Sequence, residues 1–192
     1  MQTFTAARTA ATPDEIWLVQ HPPIYTVGLA GRPEHLPQQS TIPVVKIDRG
    51  GQVTYHGPGQ LIVYLLLDLR RLGLGVRPLV RRMENAVINL LKEFGVDAKG
   101  RDAMPGVYVN EKKIAALGLR VRNGCCYHGL ALNVDMELGP FADIDPCGYP
   151  GLAVTQTCDQ GIAASIDELG AMLAAQLMDQ LANHSTSHST SH

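Results

Sequence analysis

Long apolar runs are missing from this chain of 192 residues. The longest, residues 61–67, falls far short of the ~18 residues that suggest a membrane span. No basic segment followed by an apolar one opens the chain, so no export signal is read there and the cytoplasm is the expected compartment. Strong charge of one sign is also missing. Sixteen Lys and Arg against eighteen Asp and Glu leave a net charge of −2, which gives no electrostatic case for nucleic acid or an anionic membrane. The local basic groups (Arg70 with Arg71, Arg81 with Arg82, Arg120 with Arg122) read as solvated faces. Cysteine is sparse, at positions 125, 126, 147 and 158, and none forms a Cys-x-x-Cys pair, so no zinc or other metal site is expected. Free thiols follow from a reducing compartment. A Gly-x-x-x-x-Gly-Lys-Ser/Thr phosphate loop is absent too.

What is present has the composition of an ordinary soluble domain, 45% hydrophobic and 18% charged. The length suits one domain, expected over residues 1–183. A tail over 184–192 has no apolar residue and three histidines spaced by four, and its Ser/Thr content predicts disorder. Extended segments are predicted at 16–19, 24–27, 44–47 and 61–67. From Pro78 the period changes: Leu79, Met83, Ala86, Val87, Leu90, Leu91 and Phe94 recur at three and four, an amphipathic helix ending at Gly95. Residues 106–109 and 113–119 read as a hairpin about Asn110-Glu111. Asn123-Gly124 marks a second turn, before a strand at 127–134. Ser165-Ile166-Asp167-Glu168 is a capping box that opens a last helix. Strands outnumber helices, so the class is α+β, with mixed α/β as the alternative.

Chemistry gathers in three places. Residues 49–60 hold four glycines, Arg49 and His56 between two apolar runs, and read as a loop whose exposed backbone forms a binding wall. A strand follows it rather than a helix, so it lacks the helix N-terminus of a phosphate cradle. Cys147 sits between Pro146 and Gly148 in a Pro/Gly-rich loop over 138–151. Position alone leaves it either a nucleophile or a loop thiol without a role. A thiol is only a few per cent thiolate at pH 7 and needs a base or cation beside it. Lys112, Lys113, His56 and His128 are the candidates. The two lysines point to opposite faces of a strand, and the alternation beyond them leaves open which faces inward. A buried lysine shifts toward its neutral amine, as a base requires. The two histidines occupy matching settings, Tyr55-His56-Gly57 and Tyr127-His128-Gly129.

The stretch Arg-Gly-Gly-Gln-Val-Thr-Tyr-His-Gly-Pro-Gly-Gln at 49–60 resembles the signature of the lipoyl(octanoyl) transferases. Lys-Lys-Ile-Ala-Ala-Leu-Gly at 112–118, His-Gly-Leu-Ala-Leu-Asn-Val at 128–134 and Pro-Cys-Gly-Tyr at 146–149 are similar to its other motifs, in the family order. His21-Pro22-Pro23 and Thr155-Gln156 also fit, and the resemblance spans about residues 14 to 180. It implies an α+β domain like the catalytic domains of biotin and lipoate protein ligases, a mixed sheet packed with helices. It implies transfer of an octanoyl group from acyl carrier protein to a lysine of a lipoyl domain, in 2-oxoacid dehydrogenase complexes or the glycine cleavage H protein. No cofactor is implied beyond the phosphopantetheine of the donor, and a monomer is expected. Carried over by motif, Cys147 is the nucleophile that holds the acyl thioester and Lys113 is its base. Substrate contacts fall on Arg49, Gly50, Gly51, Gln52, Val53, Thr54, Tyr55 and His56, on Ala116, Leu117 and Gly118, and on Gly129, Leu130 and Ala131. Backbone N–H groups near Gly118 and Gly129 are candidate oxyanion donors.

Two departures stand beside the resemblance. Family members carry a further strand-bearing segment before the Met-Gln-x-Phe-Thr region, so either the start is misplaced or the sheet is trimmed at its edge. The His/Ser/Thr tail lies outside the family pattern. Two other activities would use the same fold. An ATP-dependent lipoate protein ligase would need no cysteine nucleophile, and an inactive binding protein would keep the pocket without the chemistry. The pairing of Lys113 with Cys147 argues for the transferase.

Overall fold

The computed structural model describes residues 1–37, 39–145 and 151–182; Cys147 and the tail over 184–192 lie outside the described residues. A short helix, α1 (Gln2–Ala6), precedes strands β1 (Glu15–Val19), β2 (Ile24–Val27), β3 (Val44–Lys46), β4 (Val53–His56) and β5 (Gln60–Asp68). Helix α2 (Val76–Glu93) follows, then β6 (Lys99–Gly100), β7 (Gly106–Val109), β8 (Lys112–Arg122), β9 (Cys125–Asn133) and helix α3 (Ile166–Ala182). Six strands form one sheet in the order β1-β5-β9-β8-β7-β6, every pair antiparallel. Three form a second sheet, β3-β2-β4, in which β2 runs parallel to β3 and antiparallel to β4.

Strand parity divides the large sheet into two faces. Leu61, Val63, Leu65 and Leu67 of β5 enter the main core with Leu130 and Leu132 of β9 and Ile114 of β8. Leu79, Met83, Ala86, Val87, Leu90 and Leu91 of α2 and Leu169, Leu173 and Leu177 of α3 cover them. Burial of each such side chain contributes about 1.5–3 kcal/mol, so this layer carries most of the stability. The other parity of β5, Gln60, Ile62 and Tyr64, lines a cavity. The small sheet has its own core, in which Tyr25, Val27, Val53 and Tyr55 pack with Met136, Phe141 and Ile144.

The anticipated turns and caps are present. Asn110 and Glu111 (φ 46° and 68°) turn β7 into β8, and Asn123 and Gly124 (φ 50° and 75°) turn β8 into β9. Positive φ at both central residues suits the strand twist of a two-residue hairpin. Ser165 and Glu168 form the reciprocal cap of α3: Ser165 N–H reaches Glu168 Oε2 at 2.8 Å and Glu168 N–H reaches Ser165 Oγ at 3.3 Å. Pro78 lies in the first turn of α2, and Gly95 (φ 75°) closes its far end. Phe94 departs from the expected apolar stripe. The helix ends at Glu93, and Phe94, its C-cap residue, turns outward.

The segment over 49–60 also departs from its reading as a loop. Its middle is β4, whose Val53, Thr54 and Tyr55 pair with Val27, Thr26 and Tyr25. The β-branched and aromatic residues there satisfy their backbone on β2, so only the flanks of the segment are open chain.

Gly129 has the least room for a side chain among the glycines of the large sheet. A Cβ there would sit 2.0 Å from the Val63 carbonyl oxygen, on the backbone of the neighbouring strand. Gly129→Ala is expected to lower unfolding free energy by about 1–3 kcal/mol, the usual cost of overpacking, as measured by urea denaturation.

Candidate functional site

A cavity of about 240 Å³ lies between the two sheets. Ile62 and Tyr64 of β5, Ala116, Leu117 and Gly118 of β8, and Gly129, Leu130 and Ala131 of β9 form one wall. Thr26, Arg49, Gly51, Gln52, Val53, Thr54 and His56 form the opposite one. Ile24, Ile47, Phe141 and Val154 add apolar surface, while His21, Gln60, Lys113, His128 and Asn133 add polar groups. A mostly apolar hollow with a few converging polar groups is the usual form of a small-molecule site.

Small residues let the two walls meet. Gly118 pairs with Gly129 across β8 and β9. A Cβ on Gly118 would come within 3.0 Å of the Gly50 carbonyl oxygen and 3.1 Å of Arg49 Cδ. The loop therefore lies on β8 where β8 has no side chain, and Gly50 N–H donates to Leu119 O at 2.9 Å. Both glycines lie within the strand ladder rather than at a loop end, where they act as spacers.

Arg49 is turned inward and is only 9% exposed. Its Nη2 donates to Thr26 O at 2.6 Å and to Thr26 Oγ1 at 3.0 Å; Nη1 donates to Gly50 O at 2.9 Å. Asp48, immediately before it, ties the same loop to β9 by accepting from the Tyr127 hydroxyl and pairing with His128 Nε2 at 2.9 Å. Burial works to raise the Asp48 pKa, but hydrogen bonds from Tyr127, His128 and Gln2 prevail and bring it down to about 2. His128 holds φ at 65° inside β9, a left-handed conformation that costs a non-glycine residue on the order of 1–3 kcal/mol. Burial lowers the His128 pKa, and Asp48 partly opposes that.

His56 faces the cavity between two partners. Thr26 Oγ1 lies 3.1 Å from Nε2 and Gln60 Oε1 lies 2.8 Å from Nδ1. Desolvation lowers its pKa to about 4; the hydrogen bond to Gln60 opposes this, while Arg49, His21 and His128 add to it. Beside it, His21 Nε2 meets the Tyr64 hydroxyl at 2.5 Å, and burial lowers the His21 pKa and raises that of Tyr64.

Of the two candidate lysines, Lys112 is exposed and Lys113 is 4% exposed. Lys113 Nζ donates to Pro105 O at 3.2 Å and lies 5.5 Å from the centre of the Tyr108 ring. Its aliphatic stem covers Gly106, where a Cβ would come within 2.6 Å of Lys113 Cε. The backbone of Lys113 is paired as well: its N–H donates to Ala153 O and its carbonyl accepts from Thr155 N–H, both at 2.9 Å. The chain that follows the 146–150 segment is thus stitched to the strand that carries Lys113. Cys147 lies outside the described residues.

Lys113 and twelve of the fourteen residues expected at the substrate line this one cavity. Gly50 and Tyr55 do not. Gly50 spends its N–H on β8, and Tyr55 alternates away from the cavity into the core with Tyr25 and Phe141. Missing from the expected set were Thr26, Gln60, Tyr64 and Asn133. The parity of β5 and β9 was the available signal: Gln60 and Tyr64 share a face with Ile62, and Asn133 shares one with Gly129 and Ala131. Among the described residues no group of three or more His, Cys, Asp or Glu is arranged to hold a metal, and no helix is long and apolar enough to cross a membrane.

Comparison with known proteins agrees with this geometry. The model of the lipoyl protein ligase A/B catalytic domain matches residues 1–178. The octanoyltransferase of Dechloromonas aromatica is 63% identical over 177 residues, which cover 92% of this chain and 86% of that protein. A crystal structure of lipoate-protein ligase A bound with ATP shares the fold at a TM-score of 0.78 and 20% identity, over 94% of this chain and 78% of that one. Biotin protein ligase from Aquifex aeolicus shares it at a TM-score of 0.56 and 15% identity, over 84% of this chain and 71% of that one.

The environment of His56 has a measurable consequence. Its folded pKa lies below its unfolded value, so in the window between the ordinary imidazole value of 6.5 and about 4 the unfolded chain binds a proton that the folded chain does not. The stabilisation from neutral His56 is fully present above the window and lost as pH falls through it. In NMR titration the ring should stay neutral until pH approaches about 4. The fall in urea midpoint across the window should be shallower in His56→Asn.

Proposed function

This chain belongs to the lipoyl protein ligase A/B catalytic domain family, with octanoyltransferases as near relatives, and on that premise we propose that it moves an octanoyl group from acyl carrier protein to a lysine of a lipoyl domain. The observation that carries the reading is the placement of Lys113. It is the buried lysine of its pair, it borders an apolar cavity, and its backbone is joined to the chain that follows the segment containing Cys147.

The proposed chemistry has two exchanges. Lys113 accepts the Sγ proton of Cys147, and the thiolate attacks the octanoyl carbonyl carbon. The new carbon–sulfur bond replaces the one to the carrier's phosphopantetheine, whose thiolate takes the proton back from Lys113. The acceptor lysine then attacks the Cys147 thioester. An amide bond forms, the carbon–sulfur bond breaks, and Lys113 conveys the amine proton to the departing Cys147 thiolate. The first exchange trades one thioester for another and is nearly balanced in energy, so no ATP and no cofactor of the protein's own is required. Ile24, Ile47, Ile62, Ala116 and Ala131 offer the apolar surface against which an acyl chain would lie. The enzyme acts as a monomer in the cytoplasm, on lipoyl domains of the 2-oxoacid dehydrogenase complexes and on the glycine cleavage H protein.

The test is transfer from octanoyl-acyl carrier protein to a lipoyl domain without ATP. Wild-type protein should give the octanoyl amide at a rate that added Mg-ATP does not change. Cys147→Ala should abolish transfer. Lys113→Arg keeps the charge but cannot serve as a base and should lower kcat by about 10²–10⁴-fold, the range for a lost general base. A requirement for ATP with free octanoate as donor, or full activity in Cys147→Ala, would refute the reading.

A further inference from the structure

A chain of buried and half-buried hydrogen bonds crosses the wall of the cavity without touching Lys113's side chain. It begins at Arg49, whose Nε and Nη2 both reach Thr26 Oγ1, at 3.3 and 3.0 Å. Thr26 Oγ1 meets His56 Nε2 at 3.1 Å, and His56 Nδ1 meets Gln60 Oε1 at 2.8 Å. Gln60 Nε2 donates to Asn133 Oδ1 at 2.9 Å, and Asn133 Nδ2 donates to Thr155 O at 2.9 Å. Thr155 N–H in turn holds the carbonyl of Lys113. Gln60 and Asn133 are 2% and 4% exposed, so water does not offer them alternative partners.

The two ends fix the direction of every link between them. A guanidinium only donates and a carbonyl oxygen only accepts. Thr26 Oγ1 accepts from Arg49 at both lone pairs and therefore donates its proton to His56. His56 must accept at Nε2 and carry its proton on Nδ1. Gln60 must then present its oxygen to His56 and its amide nitrogen to Asn133, and Asn133 must present its nitrogen to Thr155. A proton added to His56 Nε2 would face an oxygen with no free lone pair and break the chain at its centre. The charged or titratable groups that face His56 are Arg49 from the loop, His21 from the turn after β1, and His128 from β9.

We propose that Thr26, His56, Gln60 and Asn133 form a one-directional positioning relay that couples Arg49 at the cavity to the backbone of Thr155, and so holds Lys113 and the chain after the 146–150 segment in register for acyl transfer. The proposal rests on the function proposed above for its kinetic readout. The relay itself is independent of that function and has a readout of its own. His56, Gln60 and Asn133 are positioning residues: they act through hydrogen bonds rather than on the reacting atoms.

Three variants cut the chain with little change of shape: Thr26→Val, Gln60→Glu and Asn133→Asp. The first removes the donor to His56. Gln60→Glu sets an oxygen against Asn133 Oδ1, and turning the Asn133 amide only moves the mismatch to Thr155. Asn133→Asp sets an oxygen against Thr155 O. Hydrogen exchange of wild-type protein and variants, followed by NMR, reads the relay without activity. The Thr155 N–H should exchange about ten-fold faster or more in each variant relative to the amides of α2, as a local opening would, and His56 should be the Nδ1–H tautomer in wild type. Unchanged Thr155 protection, or an Nε2–H tautomer, overturns the proposal.

The kinetic arm uses octanoyl-acyl carrier protein and a lipoyl domain. Misplacement of a catalytic group by about 1 Å can cost 10²-fold, so kcat should fall about 10–100-fold with KM within about two-fold. In Gln60→Glu the new carboxylate favours protonated His56, and the acid limb of the kcat profile should move to higher pH. Leu173→Ala, in the helical core, serves as the control for stability alone. If equal loss of stability there lowers kcat equally, or if the Gln60→Glu profile keeps its acid limb, the relay is only structural. Inactive wild-type protein would refute the proposed function and leave the exchange result to decide the relay.

Discussion

One sheet has to meet two opposed demands, and the rest of the molecule is arranged around that constraint. The face of β5, β8 and β9 toward α2 and α3 carries large aliphatic side chains, packed to the density a stable core requires. The face toward the cavity carries small residues, Ala116, Gly118, Gly129 and Ala131, beside a few larger groups. The strand period of two allows one sequence to serve both, because a residue and its neighbour never share a face. A Cβ on Gly118 would crowd the loop that holds Arg49, and one on Gly129 would collide with β5. The hollow between the sheets therefore depends on missing side chains as much as on those present.

Polar groups in and around that hollow are buried or half-buried, and several are held by named partners. Arg49 donates to Thr26, Asp48 binds Tyr127 and His128, and His56 sits between Thr26 and Gln60. An unpaired buried polar group would cost about 1–3 kcal/mol, so these bonds both avoid that cost and fix orientation. Neutral His56 follows from the same arrangement: it is held between a hydroxyl and an amide, with Arg49 nearby, and its proton would have no acceptor on the Thr26 side.

Much of this was legible in the amino-acid order. The Asn110-Glu111 and Asn123-Gly124 turns, the Ser165–Glu168 cap and the periodic face of α2 are local signals with local causes, and all appear as read. The cavity-lining stretches at 49–56, 116–118 and 129–131 were also recognisable, from motifs in a fixed order. What was hidden depends on strand pairing. That Val53 to His56 would become β4 follows from its pairing with β2, some thirty residues earlier. That Lys113 and not Lys112 faces inward follows from its neighbours, β7 and Ala153 to Thr155. Gln60 and Asn133 gave no motif of their own that marked a role, because each acquires it only when β5 and β9 pair in register.

The fold is shared with ligases of low identity, and the likeness to octanoyltransferases is close. What separates a transferase from such ligases is whether the acyl group is held by the protein itself. Intact-protein mass spectrometry after mixing the chain with octanoyl-acyl carrier protein, without acceptor or ATP, addresses this directly. One octanoyl adduct is expected, mapped to Cys147, removed by hydroxylamine and discharged when a lipoyl domain is added. No adduct, or one that persists in Cys147→Ala, would contradict transfer through Cys147.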